Sequence, residues 1–498
     1  MNVNPITRLD YPDPDVIRVE DTYYMVSTTM HFMPGCEILQ SFDLVHWEHA
    51  TYVYETLDHT DAQQLKSGQN IYGQGMWAAS LRYHEGRFYI CFVANDTRKT
   101  YLYTSEKIDG PWKKQLIEGF YHDGSLLFDE DGRNYIVYGN DEIWITELNE
   151  DLTAPKKDGL HRLLVSDHKN PELGYEGSHI QKINGYYYIF MIHSLRDRWM
   201  RTEACFYSDS LEGEFTGGDV LCDDRGYCGQ GMAQGGIVDT PDGKWYAMLF
   251  QDSGAVGRLP ILLPVTWKDH FPVFGQNGHV PEEIEVHSTR PGYIYQPLVG
   301  SDDFCNGLLP RWQFNHDPDP RYYHLDALQG TYTITTREVC TELTQAVNTL
   351  TQRMSYPSCA AEVTVDASAL KEGDVAGLCA FQGCYAAVGI TKHHGKYEVL
   401  MLDKKEDGIL DMTEGTVVES HQMDFRLEAD FCNMKDEARC YYRVNKGDWL
   451  PIGTVHKLYF KLDHFTGCRF GLFCYAAEET GGSACFRDFK YYDVDEIS

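Results

Sequence analysis

Five times before residue 290 the chain repeats one plan: a small or acidic lead-in, an apolar strand, a tight turn and an aromatic strand. The copies read YPDPDVIRVEDTYYMV from Tyr11, GMWAASLRYHEGRFYIC from Gly75, YHDGSLLFDEDGRNYIV from Tyr121, YEGSHIQKINGYYYIF from Tyr175 and AQGGIVDTPDGKWYAM from Ala233. The turns ED, HEG, DEDG, NG and PDG are hairpin chemistry, because Gly, Asn and Asp tolerate positive φ. Between the copies lie further strand–turn–strand pieces such as CEILQSFDLVHW, YLYTSEKIDGPW and ACFYSDSLEGEF. Units of four strands at intervals of roughly 45 to 65 residues describe propeller blades. The repeat therefore predicts an all-β chain beginning with a five-bladed β-propeller over residues 1–290.

Alignment on the second aromatic of each hairpin (Tyr24, Tyr89, Tyr135, Tyr187 and Tyr246) places Asp13, Trp77, Asp123, Glu176 and Gln234 eleven or twelve residues upstream. The first strand of a propeller blade lines the central axis, so these five positions are expected to ring one mouth of it. Three carboxylates crowded together without cations are costly, which argues for a functional ring rather than a structural one. Converging carboxylates suit either a hard cation, which wants six to eight oxygens, or acid–base hydrolysis. Glycoside hydrolysis needs two acids flanking the scissile bond, one protonated and one ionised. A third acid close by would raise the pKa of the protonated one by like-charge repulsion. Trp77 offers an apolar face to sugar C–H groups, or else fills the core between blades.

Composition narrows the partners. With 43 basic against 75 acidic residues the net charge is -32, which opposes phosphate backbones and anionic membranes, so neither nucleic acid nor membrane is an expected partner. No stretch reaches the roughly 18 apolar residues of a membrane span, and MNVNPITRLDYPDPDV lacks a basic and an apolar signal region. Fifteen cysteines without a CxxC pair read as free thiols of a cytoplasmic protein.

The run YPDPDVI…YYM, the tryptophan of GMWAASLRYHEGRFY, HDGSLLFDEDG and EGSHIQK…YYYIF, in this order, resemble glycoside hydrolase family 43, and VGRLPILLPVTW resembles that family's closing propeller stretch. The resemblance implies a five-bladed propeller and an inverting mechanism with three acids. By motif, Asp13, inside the shared PDP, would be the general base, Glu176 of EGSH the general acid, and Asp123 of HDGS the modulator of the Glu176 pKa. Asp15 falls where the family varies and is expected to be a strand-edge carboxylate. Arg258 in VGRLP matches an arginine near the acids. His31 and Phe32 resemble subsite-lining residues, with a buried loop anchor as the alternative. Many members carry a histidine in the fifth lead-in that helps hold an axial cation; here Gln234 occupies the ring position. No cofactor is required and no metal site is assigned; a structural calcium stays open.

After a linker at 291–300, alternating runs such as YTITT, AAEVTVDA, YAAVGITK and RFGLFCYA describe half-buried antiparallel strands. Residues 301–498 are thus expected to form a β-sandwich, and WQFNHDPDPRYYHL, AVNTLTQR, EGDVAGLCAFQ and GLFCYAAEETGG resemble the concanavalin-like jelly roll that follows the propeller in the β-xylosidase and arabinofuranosidase branches. NHDPD and the pair His393 and His394 are expected to be exposed loop residues. The activity implied is exo-acting removal of terminal pentoses from arabinose- or xylose-containing oligosaccharides, α-L-arabinofuranosidase ahead of β-D-xylosidase. A non-catalytic carbohydrate-binding propeller–lectin is the alternative of another class, and homo-oligomerisation stays open.

Overall fold

The computed structural model describes residues 3–413, 415–461 and 464–493. Five four-stranded antiparallel sheets follow one another along the chain, each a simple meander. Their first strands are Asp15–Val19, Met76–His84, Ser125–Phe128, Glu176–Ile183 and Met232–Asp239. Each of these touches the first strands of the neighbouring blades, and that of the fifth blade touches that of the first, so the sheets close into a propeller. Apolar clusters fill every gap between blades, for example Ile38 with Phe92, Leu102 with Ile136, Val137 with Ile189, Phe190 with Leu263, and Val16 with Met248. The N-terminal segment pins the closure. Ile6 donates its N–H to Pro260 O at 2.8 Å and Tyr11 to Arg258 O at 3.0 Å, along the fifth blade's third strand, Arg258–Lys268.

Asp15 is not a strand-edge carboxylate. It is fully buried, and its Oδ2 accepts from Arg82 at 2.7 Å and from Leu81 N–H at 2.8 Å, while Oδ1 faces His179 Nδ1 at 3.1 Å. Burial alone would raise its pKa, but Arg82 and His179 hold it at about 2. The same guanidinium reaches Ser125 Oγ at 2.7 Å, Leu126 O at 2.9 Å and Ile180 O at 3.2 Å. A single arginine thus braces four of the five blades.

From residue 313 onward the strands form two sheets, of nine and seven strands, packed on a core that includes Leu350, Ile390, Phe425 and Phe486. One of the nine comes from the propeller: Phe32–Met33 pairs with Gln313–Asn315. This corrects the reading of His31 and Phe32 as subsite-lining residues. Both are fully buried anchors between the two halves, with the His31 ring 4.8 to 5.0 Å from those of Tyr72, His464 and His316. The NHDPD stretch is corrected likewise, since Asn315, His316, Asp317 and Asp319 are buried rather than exposed. Ile71 donates its N–H to His316 Nε2 at 2.9 Å, and Asp317 Oδ2 meets His59 Nδ1 at 2.7 Å. His393 and His394 are exposed, as expected. No disulfide joins any two cysteines among the described residues, and no helix among them is long and apolar enough to cross a membrane.

Candidate active site

One irregularity, repeated in every blade, builds the mouth of the propeller. Trp77 pairs with Val93 and Ser80 with Cys91; Glu176 pairs with Ile192 and His179 with Phe190; Ala233 pairs with Phe250 and Gly236 with Met248. Three residues on the inner strand thus span two on its partner, which is a β-bulge. The first and third blades do the same. Thr28 donates its N–H to Pro12 O while Asp15 pairs with Val26, and Gly139 donates to His122 O while Ser125 pairs with Val137. The residue that follows each last regular rung has positive φ: Asp13 52°, Ala78 21°, Asp123 48°, Gly177 61° and Gln234 61°.

The expected single ring is therefore two rings offset by one residue. Pro12, Trp77, His122, Glu176 and Ala233 stand on the regular rungs. Asp13, Ala78, Asp123, Gly177 and Gln234 stand on the bulges. Counting back from the hairpin aromatics mixed the two, because the hairpin loops differ in length: Val19 pairs with Thr22 and Ile183 with Tyr186, but Phe128 pairs with Asn134 and Asp239 with Trp245.

Asp13 is buried between fixed donors. Thr28 Oγ1 donates to its Oδ2 at 2.6 Å, and Arg258 donates to Oδ1 at 2.9 Å. Arg258 in turn meets Asp252 at 3.3 Å through Nε, and Asp252 accepts from Arg201 Nε at 2.6 Å. Charge thus alternates along a chain of four groups, three of them buried and Asp252 half-buried, which offsets the desolvation of each.

The other acids meet across His122. Its Nε2 stands 3.4 Å from Glu176 Oε2 and 3.5 Å from Asp123 Oδ2. Asn140 Nδ2 donates to Glu176 Oε2 at 2.8 Å, and the Gly177 N–H donates to Asp123 Oδ2 at 3.0 Å. Burial would lower the imidazole, but Asp123, Glu176 and Asp13 push it up to about 9. Burial, Glu176 and Asp13 push Asp123 up to about 6 against the pull of His122. Burial would raise the Glu176 carboxyl too, yet His122, Arg201 and Arg258 hold it below its ordinary value. An unforeseen imidazolium thus lies against both acids in the free site. The three groups titrate as a unit.

The cavity in front of these groups holds about 500 Å³ and is lined by Trp77, His122, Asn140, Glu176, Trp199, Arg201, Asp252 and Arg258 from the propeller. The sandwich closes it with Met434, Phe460, Lys461 and Phe465. The Phe465 ring lies 5.3 Å from that of Trp77 and 4.5 Å from the Arg258 guanidinium carbon. Trp77 and Arg258 therefore both line the cavity. Asp13, Asp123 and Gln234 line a smaller recess with Ala78 and Gly177, where the Gln234 side chain packs on Gly177. His122, Asn140, Arg201, Asp252 and the sandwich residues were not foreseen. Only His122, inside HDGS, had a signal in the quoted motifs.

Neither cluster of donors fits a metal well. On the axis, the Asp15 oxygens are engaged by a guanidinium, an imidazole and an N–H. His122, Asp123 and Glu176 bring ligand atoms within 4.8 Å of one another, but His122 is held as a cation, which suits a shared proton better than a second positive charge.

A propeller mouth with paired carboxylates, an aromatic platform and an arginine, roofed by a second domain, has the makings of a glycosidase site. Residues 3–272 match glycosyl hydrolases family 43 and residues 301–492 match the β-xylosidase C-terminal concanavalin A-like domain, and the chain belongs to that family. A β-xylosidase from Formosa agariphila is 26% identical over 555 residues, covering 99% of this chain and 89% of that protein. A xylosidase/arabinosidase from Butyrivibrio fibrisolvens is 24% identical and covers 99% of both. Among solved structures, a bifunctional family 43 protein with a CE part from Bacteroides eggerthii superposes with a TM-score of 0.92 at 42% identity; it covers 99% of this chain, which spans 64% of that longer one.

Proposed function

We propose that the protein is an exo-acting, inverting glycoside hydrolase that removes terminal non-reducing pentoses, α-L-arabinofuranosides ahead of β-D-xylosides. The observation that carries this reading is that Glu176 and Arg258 line a roofed cavity of about 500 Å³, with Glu176 held by Asn140 and Arg258 holding Asp13, which lines the smaller recess with Asp123. Asp13, held between Arg258 and Thr28, is the general base that activates water. Glu176 is the general acid that protonates the leaving oxygen, its proton supplied from the cluster it forms with His122 and Asp123. Trp77 is the platform under the sugar, and the phenylalanine roof favours a chain end over a polymer interior. The relatives' names support the substrate class: they include β-xylosidases, xylosidase/arabinosidases and a non-reducing end α-L-arabinofuranosidase from Bacteroides ovatus.

Paired kinetics on aryl α-L-arabinofuranoside and aryl β-D-xyloside, with the product anomer followed by NMR, test this reading. Both should be cleaved with inversion, the arabinofuranoside with the higher kcat/KM. Asp13→Ala and Glu176→Ala should each lower kcat by about 10²- to 10⁴-fold without unfolding the chain. A wild-type protein that binds arabinose or xylose oligomers yet leaves both aryl pentosides intact would instead be the propeller–lectin.

A further inference from the structure

We infer that Asp10 is a positioning residue whose one carboxylate seats both the arginine that holds Asp13 and the sandwich segment that roofs the cavity. The inference rests on the hydrolase reading above for its functional consequence, and on geometry for the rest. Asp10 is buried three residues before Asp13, at the meeting of the two halves. Its Oδ1 accepts the backbone N–H of Arg258 at 2.7 Å, and its Oδ2 accepts that of Gly467 at 2.8 Å. Arg258 carries the guanidinium bound to Asp13, and Gly467 lies two residues after Phe465. One carboxylate therefore sets the distance between the floor of the cavity and its roof.

The surroundings leave Asp10 no alternative pose. Arg353 Nε, from the sandwich, donates to the Asp10 carbonyl at 2.9 Å, and its NH1 reaches Glu37 at 2.8 Å. Two glycines make room for the carboxylate. A Cβ on Gly257, whose φ is 103°, would lie 2.2 Å from Asp10 Oδ1, and one on Gly467 would lie 2.7 Å from Asp10 Cβ and 2.2 Å from Val256 O. Both oxygens of Asp10 face N–H donors, so only a carboxylate satisfies both. An asparagine of the same shape would turn its amide donor toward one of them.

Asp10→Asn tests this with little change of volume. On aryl α-L-arabinofuranoside it should lower kcat/KM by about tenfold or more, the loss expected when a buried donor faces no acceptor. Asp10→Ala should lower it further. In a Phe465→Ala background the Asp10→Asn effect on KM should shrink, because the roof it seats has lost its ring. Hydrogen exchange should accelerate in peptides spanning Arg258 and Gly467 and stay unchanged elsewhere. Kinetic constants within about twofold of wild type, full additivity with Phe465→Ala, or exchange accelerated evenly over the chain would each overturn the inference. Should the wild type cleave neither pentoside, the hydrolase reading fails, and the exchange pattern alone decides whether Asp10 seats the two segments.

Discussion

At the residue scale the decisive group is His122, which no motif role had covered. Its imidazole lies within 3.5 Å of both Asp123 and Glu176 and is pushed up to about 9, so at neutral pH the cluster keeps a proton on nitrogen. An acid catalyst needs that proton within one transfer of the leaving oxygen, and the contact with Glu176 Oε2 provides the route. If so, the alkaline limb of kcat/KM follows the loss of the imidazolium proton. His122→Asn leaves only carboxyl protons, and with the imidazolium gone that of Asp123 rises above the value of about 6 that it holds against the pull of His122. The limb should therefore move toward acid, by less than the gap between those two groups, read from kcat/KM between pH 4 and 10. A limb that stays in place would remove His122 from the proton inventory. The three acids themselves were legible because their motifs are local in the chain. His122 was hidden by the count from the hairpin aromatics, which put Asp123 in the place that belongs to its neighbour.

At the scale of the element, the five bulges turn a repeat into a site. Each inserts one residue into an inner strand, so consecutive side chains at the mouth point to different levels. Period, turn residues and aromatic strands announced the blades, because these signals lie within a dozen residues of one another. A one-residue insertion leaves the period intact, so only pairing partners reveal it. Gly177 shows how tight the arrangement is. Its φ is 61°, and a Cβ there would lie 2.5 Å from the Gln234 side chain, while its N–H holds Asp123. Gly177→Ala should cost about 1–2 kcal/mol from the left-handed backbone alone, measured as a lower urea midpoint, and should lower kcat as Asp123 shifts. An unchanged midpoint with full activity would mean that the bulge can relax around a methyl group. The roof was illegible for another reason. Phe465 meets Trp77 across nearly four hundred residues of chain, and nothing local to either marks the other.

For the whole molecule, the junction of propeller and sandwich decides how stability depends on pH. His31, His316 and His464 are buried there, the His31 ring 5.0 Å from that of His316 and 4.9 Å from that of His464, beside Arg469, whose guanidinium carbon lies 3.5 Å over the Phe32 ring. Both ring nitrogens of His31 and of His464 have no hydrogen-bond partner among the described residues. Burial, then the neighbouring histidines and Arg469, pushes His31 far down; burial and His464 do so for His316; burial and Arg469 push His464 to about 3. In the unfolded chain each imidazole titrates near its ordinary value of about 6.5. Above that pH both states are neutral here and the junction keeps its full stability. Below it the unfolded chain binds up to three protons that the native junction refuses, so stability falls as pH falls. The slope approaches about 4 kcal/mol per pH unit for three protons, before the carboxylates add their own terms. Denaturant midpoints taken at pH 7.5, 6.5, 5.5 and 5.0 should decline with steepening slope. His464→Phe, which removes one of the three, should lower that slope by about a third, and equal slopes in the two proteins would show that the cluster does not govern the acid limit. Because Phe32–Met33 and the phenylalanine roof both depend on this junction, activity should be lost in the same acid range as the junction, with the propeller strands still folded by far-UV circular dichroism.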